Sequence, residues 1–325
     1  MKKTAPIRWG MIGCGNVTEL KSAPAYQQTD GFELVSVMGR NEEKVRDYAS
    51  RHDIENFYTD ADALIAASEV DAVYIATPPD SHLHYALKVA EAGKPCCIEK
   101  PLAPSFAACK SICEAFEEKK LPLFVAYYRR SLSHFLQIKE WLDLECIGTV
   151  RQVSWHLAKP PKPIDLLDQY NWRTDVTIAP GGYFDDLACH GLDLIAFLLG
   201  DFKKVSGVSQ NQQGFYPAKD AFVAHWLHES GVTGVGSWNF GCGLLQDRLE
   251  IQGSKGRIEC AVFEEKPIRL ITKSIQKEVQ IPHPKHIQAP HVLQMRNTLL
   301  RGKDHPSTGR TATHTTWIMD QILGG

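Results

Sequence analysis

Short apolar runs alternate with amphipathic segments of helical periodicity over the first 125 residues of the chain. The apolar runs, which we predict to be strands, occupy residues 7–12, 32–38, 71–76, 95–98 and 121–126. The segments between them, which we predict to be helices, end near residue 27 and then occupy residues 42–51, 60–67, 82–92 and 106–119. Strands and helices that alternate at this spacing are typical of a doubly wound parallel sheet with helices on both faces. We therefore predict an α/β domain of this kind over residues 1–125.

The pattern changes after about residue 148, where hydrophobic and polar residues begin to alternate one by one. Such alternation predicts strands that are buried on one face only. We predict them at residues 150–157, 204–209, 221–228, 232–240, 247–252, 257–262 and 268–271. Helices are predicted at 133–144 and 187–199. Residues 126–325 should form an α+β domain with a mostly antiparallel open sheet, and the last helix could pack back on the first domain.

A glycine-rich turn follows the first predicted strand, at residues 13–17. In a strand–turn–helix unit, Gly13 permits the tight turn and Gly15 lets the backbone approach a pyrophosphate, whose charge the helix N-terminus stabilises. The third glycine of the usual dinucleotide-binding fingerprint is replaced by Thr18. The alternation of strands and helices around the turn supports a Rossmann domain, with Gly13, Gly15, Asn16 and Val17 as cofactor-binding residues.

The end of the second predicted strand bears on the choice between NAD and NADP. Enzymes that select NAD usually place an acidic residue there, where it bonds the ribose hydroxyls. This chain has Gly39-Arg40-Asn41, so no carboxylate opposes a 2′-phosphate and Arg40 could pair with one. We therefore expect NADP or NAD, with a slight preference for NADP. Alternatively, Arg40 is a solvated residue that stacks on adenine and suits either cofactor.

Two further loops should emerge at the same edge of the parallel sheet as the glycine-rich turn. They are Thr77-Pro78, after the third strong strand, and Glu99-Lys100-Pro101, after the fourth. Ligands of open parallel sheets bind at the carboxyl ends of the strands. A lysine held before proline at such an edge could hydrogen-bond a reacting oxygen and stabilise its developing negative charge.

The predicted helix at 187–199 has titratable groups around its first turn, after the glycine pair at 181–182. Asp186 and His190 lie four residues apart and Asp193 three further on, so the three should project from roughly one face. An imidazole beside a carboxylate is a candidate acid/base pair. Alternatively, Asp186 caps the helix and His190 is a buried structural histidine.

A proline-stiffened loop from residue 160 onwards carries Trp172 and Arg173 shortly before that segment. As part of a substrate-binding wall, Trp172 could stack on a sugar face and Arg173 could hold a hydroxyl or a carboxylate. Core packing of the tryptophan and a salt bridge of the arginine explain the same residues equally well.

Composition excludes several classes of partner. The net charge of −2 argues against binding to nucleic acid or to an anionic membrane surface. No apolar run approaches the roughly 20 residues of a membrane span. The nine cysteines are scattered without a C-x-x-C pair, so we expect reduced thiols and a cytoplasmic protein. The histidines at 283, 286 and 291 lack accompanying cysteines or carboxylates, and we expect no metal site there.

Taken together, these motifs resemble those of the glucose-fructose oxidoreductase and inositol dehydrogenase (Gfo/Idh/MocA-type) family of NAD(P)-dependent sugar and polyol oxidoreductases. The resemblance covers essentially the whole chain. It rests on residues 13–17, Thr77-Pro78 with His82, Gly93-Lys94-Pro95 leading into Glu99-Lys100-Pro101, and Gly181-Gly182 with Asp186, His190 and Asp193.

The resemblance implies particular roles for these residues. Lys100 is expected to be catalytic together with His190 and Asp186. Thr77, Pro78, His82, Glu99 and Lys100 are expected to bind the cofactor, with Glu99 near the nicotinamide ribose. Because the open face of the second sheet is commonly covered by a neighbouring subunit in this family, a homodimer or homotetramer is expected.

We therefore expect an NAD(P)-dependent oxidoreductase that transfers a hydride between nicotinamide and a secondary alcohol or ketone of a sugar, polyol or related derivative. One alternative keeps the fold but makes the net reaction redox-neutral, as in a glycoside hydrolase or epimerase that retains NAD. A second alternative is a non-catalytic regulator that senses the cofactor, because a fold does not fix a function.

Overall fold

The computed structural model describes residues 5–167 and 169–324, which divide into two compact units. The first unit contains the described residues up to Ser131 together with Pro284–Thr313. The second contains those of Leu132–His283 and the described residues from His314 onward. The boundary near residue 125 stays a prediction.

A six-stranded sheet forms the centre of the first unit. Its strands are β1 (Ile7–Ile12), β2 (Phe32–Met38), β3 (Asn56–Tyr58), β4 (Ala72–Ile75), β5 (Cys96–Ile98) and β6 (Leu123–Val125). They are all parallel and lie in the order β3-β2-β1-β4-β5-β6. The predicted doubly wound parallel sheet is confirmed, and its strand order reverses between β1 and β4, where such sheets bind ligands.

The helices of this unit are α1 (Ala23–Gln28), α2 (Glu42–Arg51), α3 (Ala61–Ala66), α4 (His82–Glu91), α5 (Phe106–Glu118) and α9 (Ala289–Arg301). A buried aromatic group, in which Trp9, Tyr26 and Tyr74 take part, packs between helices and sheet. Val292 and Met295 of α9 belong to the same core. This late helix is therefore part of the first unit, although more than 150 residues separate it from β6.

The sequence pattern missed β3. This strand has only three residues, none of them fully buried, and it pairs with the end of β2. So short a segment has no measurable alternation of hydrophobic and polar residues, and its pairing is set by the neighbouring strand.

An eight-stranded sheet forms the second unit. Its strands are β7 (Val150–Ala158), β8 (Phe202–Gln210), β9 (Ala221–His228), β10 (Thr233–Asn239), β11 (Gln246–Gly253), β12 (Gly256–Cys260), β13 (Ile268–Thr272) and β14 (Gln276–Val279). Their order is β14-β13-β12-β11-β7-β10-β9-β8, and every pair is antiparallel except β7 with β10. The predicted, mostly antiparallel sheet is confirmed, although the polar edge strand β14 was not predicted.

One face of this sheet is covered by helices. The helices of this part of the chain are α6 (Ser133–Asp143), α7 (Pro163–Leu166), α8 (Cys189–Leu199) and α10 (Gly309–Leu323). Gly191 of α8 lies on the ring of Trp155, where a Cβ atom would come within 2.3 Å of the indole. Gly207 of β8 packs against Ile322 of α10 in the same way, with no space for a Cβ atom between them. Because these glycines lack a side chain, the helices approach the sheet closely.

Among the described residues, no helix combines the length and the apolar character that a membrane crossing requires.

Candidate active site

The glycine-rich turn after β1 is built as the sequence predicts. Gly13 has φ +110°, and a Cβ atom there would lie 2.8 Å from the carbonyl oxygen of Ala76. Its N–H donates to the carbonyl oxygen of Met38, 2.9 Å away. Only glycine therefore fits between the ends of β2 and β4.

The outer side of the turn is open. A Cβ atom on Gly15 would meet no atom within 4 Å, and Gly15 and Asn16 are exposed, with Val17 partly buried behind them. The backbone N–H groups that begin the following helix lie in this stretch. An exposed backbone with free space at a helix N-terminus fits the pyrophosphate of a dinucleotide.

Thr18 replaces the third glycine of the fingerprint without opening the turn. Its side chain is fully buried, and its hydroxyl donates to the carbonyl oxygen of Gly15 at 2.7 Å. The chain continues as a π-helical turn, Thr18–Ser22, before α1. The hydroxyl thus closes the turn by a hydrogen bond in place of the close packing that a glycine permits.

Arg40 lies exposed directly after β2 and Gly39. It forms no ion pair with another residue of the described chain, whereas the neighbouring Asn41 caps α2 by accepting from the N–H of Lys44 at 2.9 Å. Arg40 therefore follows the strand end at which dinucleotide-binding sheets contact the adenosine ribose.

His82 holds two of the predicted loops together. Its imidazole is fully buried, with Nε2 2.8 Å from the carbonyl oxygen of Thr77. Nδ1 lies 3.0 Å from the carbonyl oxygen of Pro101 and 3.2 Å from that of Leu102. Burial lowers the pKa of His82, although the carbonyl contacts act in the opposite direction. We call this arrangement the His82 clamp; the predicted contact of His82 with the cofactor stays a prediction.

The Thr77-Pro78 loop is closed by a short hydrogen-bond network of its own. The hydroxyl of Ser81 lies 2.7 Å from that of Thr77 and 2.9 Å from the carbonyl oxygen of Pro78. The start of the loop also borders Gly13, because a Cβ atom there would lie 3.3 Å from the backbone nitrogen of Thr77. The clamp therefore links the glycine-rich turn, this loop and the Lys100 loop into one edge of the parallel sheet.

Glu99 is a buried carboxylate with three donors. Oε1 accepts from the hydroxyl of Tyr74 at 2.7 Å and from Nε2 of Gln288 at 2.8 Å. Oε2 accepts from the backbone N–H of Lys100 at 3.2 Å. The last of these bonds holds the backbone at Lys100, whose side chain is partly buried and whose peptide bond to Pro101 is cis. Sequence reasoning missed Gln288, because no local pattern relates it to a residue 189 positions away.

In the second unit, Asp186 belongs to a π-helical turn, Phe184–Ala188, that precedes α8. Its Oδ2 accepts from Nε of Arg173 at 2.8 Å, and the guanidinium of Arg173 lies 4.4 Å from the ring centroid of Trp172. The structure therefore brings together the three predicted residues Trp172, Arg173 and Asp186. The Asp186 side chain keeps 14% of its surface exposed, so it is both paired and accessible.

His190 and Asp193 lie on the buried side of α8. The His190 imidazole is 5% exposed and meets the ring of Phe263 edge-on, at 6.0 Å between centroids. Oδ1 of Asp193 accepts from the hydroxyl of Thr315 on α10 at 3.1 Å. Asp193 therefore links α8 to α10. This contact is structural, although the sequence placed Asp193 beside the candidate acid/base pair.

A polar cluster around Tyr183 was not predicted. The Tyr183 hydroxyl donates to Asp165, and Nδ2 of Asn171 donates to the same hydroxyl at 2.8 Å. Nζ of Lys162 lies 4.1 Å from the Tyr183 ring centroid. Burial lowers the pKa of Lys162, while Asp186 opposes that shift. The feature of the sequence that could have revealed this cluster is the proline-rich loop at 160–163, which carries Lys162 and directly precedes Asp165.

No group of three histidine, cysteine, aspartate or glutamate side chains in the described ranges is arranged to hold a metal ion.

Comparisons with known proteins bear on the family and the fold. The sequence model of an oxidoreductase family with an NAD-binding Rossmann fold matches residues 7–127, and that of the GFO/IDH/MocA C-terminal domain matches residues 135–259. The chain is 36% identical over 321 residues to "Oxidoreductase P35" of Formosa agariphila, covering 98% of both chains. It is 28% identical to inositol 2-dehydrogenase of Rhizobium meliloti, covering 81% of this chain and 78% of that one.

Among solved structures, a levoglucosan dehydrogenase in complex with NADH has the same fold. The TM-score is 0.88 at 21% identity, over 98% of this chain and 96% of that chain.

Proposed function

Because the chain belongs to the Gfo/Idh/MocA family of oxidoreductases with an NAD-binding Rossmann fold, we propose that it transfers a hydride between NAD(P) and a secondary alcohol or ketone of a sugar or polyol. One observation carries this proposal. The Gly13 turn, the Thr77 loop and the Lys100 loop form a continuous edge where the strand order of the parallel sheet reverses. That edge supplies a dinucleotide site and a lysine beside it.

The first unit supplies the cofactor site and a polarising cation. Gly13, Gly15, Asn16 and Val17 would hold the pyrophosphate of NAD(P), and the Thr77-Pro78 loop and Glu99 would bind its nicotinamide side. NAD(P), when bound, exchanges the hydride at its nicotinamide ring. Lys100 donates a hydrogen bond to the substrate oxygen and stabilises the alkoxide character that develops there.

The second unit supplies the proton-transfer and recognition groups. His190 exchanges the proton of the substrate hydroxyl, and Asp186 orients the substrate or the imidazole. Trp172 and Arg173 form a wall against which a sugar ring stacks and to which its hydroxyls bond. Support for these roles comes from the accessible Asp186–Arg173 pair and the cation–π contact of Arg173 with Trp172.

The preferred cofactor is NADP. Arg40 is exposed, forms no ion pair with the described residues and follows a strand end without a carboxylate. A 2′-phosphate placed there gains a charge-assisted hydrogen bond. Fluorescence titration of both reduced cofactors with the wild type and with R40A tests this preference. A tighter dissociation constant for NADP in the wild type, lost in R40A, supports it, and tighter binding of NAD by the wild type overturns it.

The protein is proposed to be a cytoplasmic homodimer or homotetramer. All nine cysteines lie in the described chain as free thiols, which suits a reducing compartment. The uncovered face of the second sheet exposes apolar side chains on three adjacent strands: Val208 (70%), Val223 (62%) and Val235 (38%). A second copy of the chain would bury them. Light scattering at micromolar concentration that gives only the monomer mass contradicts this assembly.

The decisive experiment follows absorbance at 340 nm with a panel of sugars and polyols and both cofactors. In K100M we expect turnover to fall by about a hundredfold to a thousandfold, because a donor to the reacting oxygen is lost. Cofactor affinity should stay close to that of the wild type. Near wild-type turnover would remove Lys100 from the mechanism. Turnover of substrate by copurified cofactor, without net change at 340 nm, would identify the redox-neutral alternative.

A further inference from the structure

Asp185, directly before Asp186, is a carboxylate that the proposed reaction does not use. Its Oδ2 accepts from the backbone N–H of Gly181 at 2.8 Å. Its Oδ1 is buried and accepts no hydrogen bond from the described residues. Burying a carboxyl oxygen without a hydrogen-bond donor costs free energy. Contacts with the surrounding residues must therefore hold this side chain in its position.

Those surroundings are the glycine pair that opens the segment. A Cβ atom on Gly181 would lie 2.4 Å from Oδ1 of Asp185 and 3.0 Å from the side chain of Leu323. Gly182 has φ +59°, and a Cβ atom there would lie 2.8 Å from the carbonyl oxygen of Lys219. The glycine at 181 therefore leaves room for the Asp185 carboxyl, and the glycine at 182 lets the chain pass close to Lys219.

The charged groups that face Asp185 are themselves carboxylates. Asp186 lies on the same π-helical turn and Asp320 on α10, whereas Arg173 pairs with Asp186. Burial, the largest cause, and these two neighbours raise the pKa of Asp185 to about 7. The neutral acid therefore suits this position, and ionisation places a third negative charge in a buried space.

We propose that Asp185 is a positioning residue, which ties the Gly181–Gly182 turn to the π-helical turn and so fixes where Asp186 meets Arg173. The inference rests on the proposed function, because that function gives Asp186 its role toward the substrate. When Asp185 ionises, repulsion from Asp186 and Asp320 pushes its carboxylate away from them, although the N–H of Gly181 favours the ionised form. Asp186 then loses its fixed place although its own bond to Arg173 remains possible.

Two variants of Asp185 separate the hydrogen bond from the charge. We expect kcat of the wild type to decline above about pH 7, and we expect this decline to be absent in D185N, in which the amide oxygen still accepts from Gly181 and nothing ionises. In D185L the acceptor is lost at similar volume, and we expect kcat to fall about tenfold at every pH while the dissociation constant of the cofactor stays unchanged. D320N should move the decline of the wild type to lower pH, because it removes a like charge.

A second measurement does not depend on activity. We would determine the free energy of unfolding for D185L, R173M and the double variant. The side chain of Arg173 bonds Asp186 and not Asp185, so we expect coupling between the two side-chain substitutions to pass through Asp186. Coupling is expected, whereas D185L combined with K203M on the exposed side of β8 should be additive.

Additivity of D185L with R173M overturns the inference, as does a pH profile of D185N that equals that of the wild type. If no sugar or polyol is turned over, the proposed function fails. The coupling measurement then still decides whether Asp185 positions Asp186.

Discussion

The His82 clamp of the first unit and the Asp186–Arg173 pair of the second unit are both polar contacts between a helix start and a loop, but they use different groups. In the clamp, one imidazole meets three backbone carbonyls, and it is fully buried. In the pair, two charged side chains meet, and the arginine side chain is 36% exposed. The clamp therefore fixes the path of the chain, whereas the pair fixes only two side chains.

This difference matters for what each unit can do. A contact to backbone carbonyl oxygens does not depend on the side chains of the residues that carry them, so substitutions of those side chains leave the clamp its acceptors. A contact between long side chains can be rebuilt with other residues or other substrates. Under the proposed function, the cofactor site would thus be built mainly from backbone, whereas selectivity for the substrate would reside in replaceable side chains such as Arg173 and Trp172.

The largest effect is expected where the backbone itself is changed, in a matched pair of glycine variants. In G13A the methyl group has no space at φ +110°, so the free energy of unfolding should fall by about 1–3 kcal/mol and cofactor binding should weaken at least tenfold. In G15A the methyl group enters open space, so stability should change by less than about 0.5 kcal/mol.

Cofactor binding by G15A tests whether that open space belongs to the pyrophosphate. We expect its affinity for NAD(P)H, measured by fluorescence titration, to fall about tenfold although the fold is intact. Wild-type affinity in G15A would show that the dinucleotide does not approach the turn from this side. The claim that the cofactor site is built mainly from backbone would then be wrong.

A smaller effect is expected for H82Q. Loss of the imidazole leaves buried carbonyls without a full set of donors, and the free energy of unfolding should fall by about 1–3 kcal/mol. Because the clamp holds the Lys100 loop, kcat should fall more than cofactor affinity. His84 is an exposed histidine two residues further on. H84Q is therefore the control and should leave the free energy of unfolding, kcat and cofactor affinity unchanged.

The pH dependence of stability gives H82Q a second signature. Burial lowers the pKa of His82 in the folded protein, so the unfolded chain binds more protons just below its ordinary pKa of about 6.5. The stability that the neutral imidazole contributes is therefore present above about pH 6.5 and is lost as the pH falls toward the folded value. Urea titrations at several pH values should show that the free energy of unfolding declines less steeply with falling pH in H82Q than in the wild type. Equal slopes would mean that the imidazole is already charged in the clamp.

The same contrast explains how much could be predicted from the sequence. Gly13 and Gly15 could be placed in the turn because a strand–turn–helix unit of this kind needs glycine at fixed spacing. The parallel sheet followed from apolar runs that alternate with helical segments, and the second sheet from the alternation of hydrophobic and polar residues. Gln288, which bonds Glu99, could not be found because it comes from a distant part of the chain. The π-helical turn at Asp186 also escaped, because an extra residue in one turn leaves no mark in a pattern read at helical period. The roles of Lys100 and His190 stay predictions.

The smallest effect is expected for the side-chain pair itself. Arg173 is partly exposed, so a double-mutant cycle with R173M and D186N should give a coupling in the free energy of unfolding of only about 0.5–1 kcal/mol. Its effect on catalysis should be separable, because R173M removes the substrate contact proposed for Arg173 and should raise KM more than it lowers kcat, whereas D186N should lower kcat. A coupling of several kcal/mol would mean that the pair holds the backbone of the second unit as firmly as the clamp holds that of the first. Selectivity could then not be changed at Arg173 without disturbing the fold.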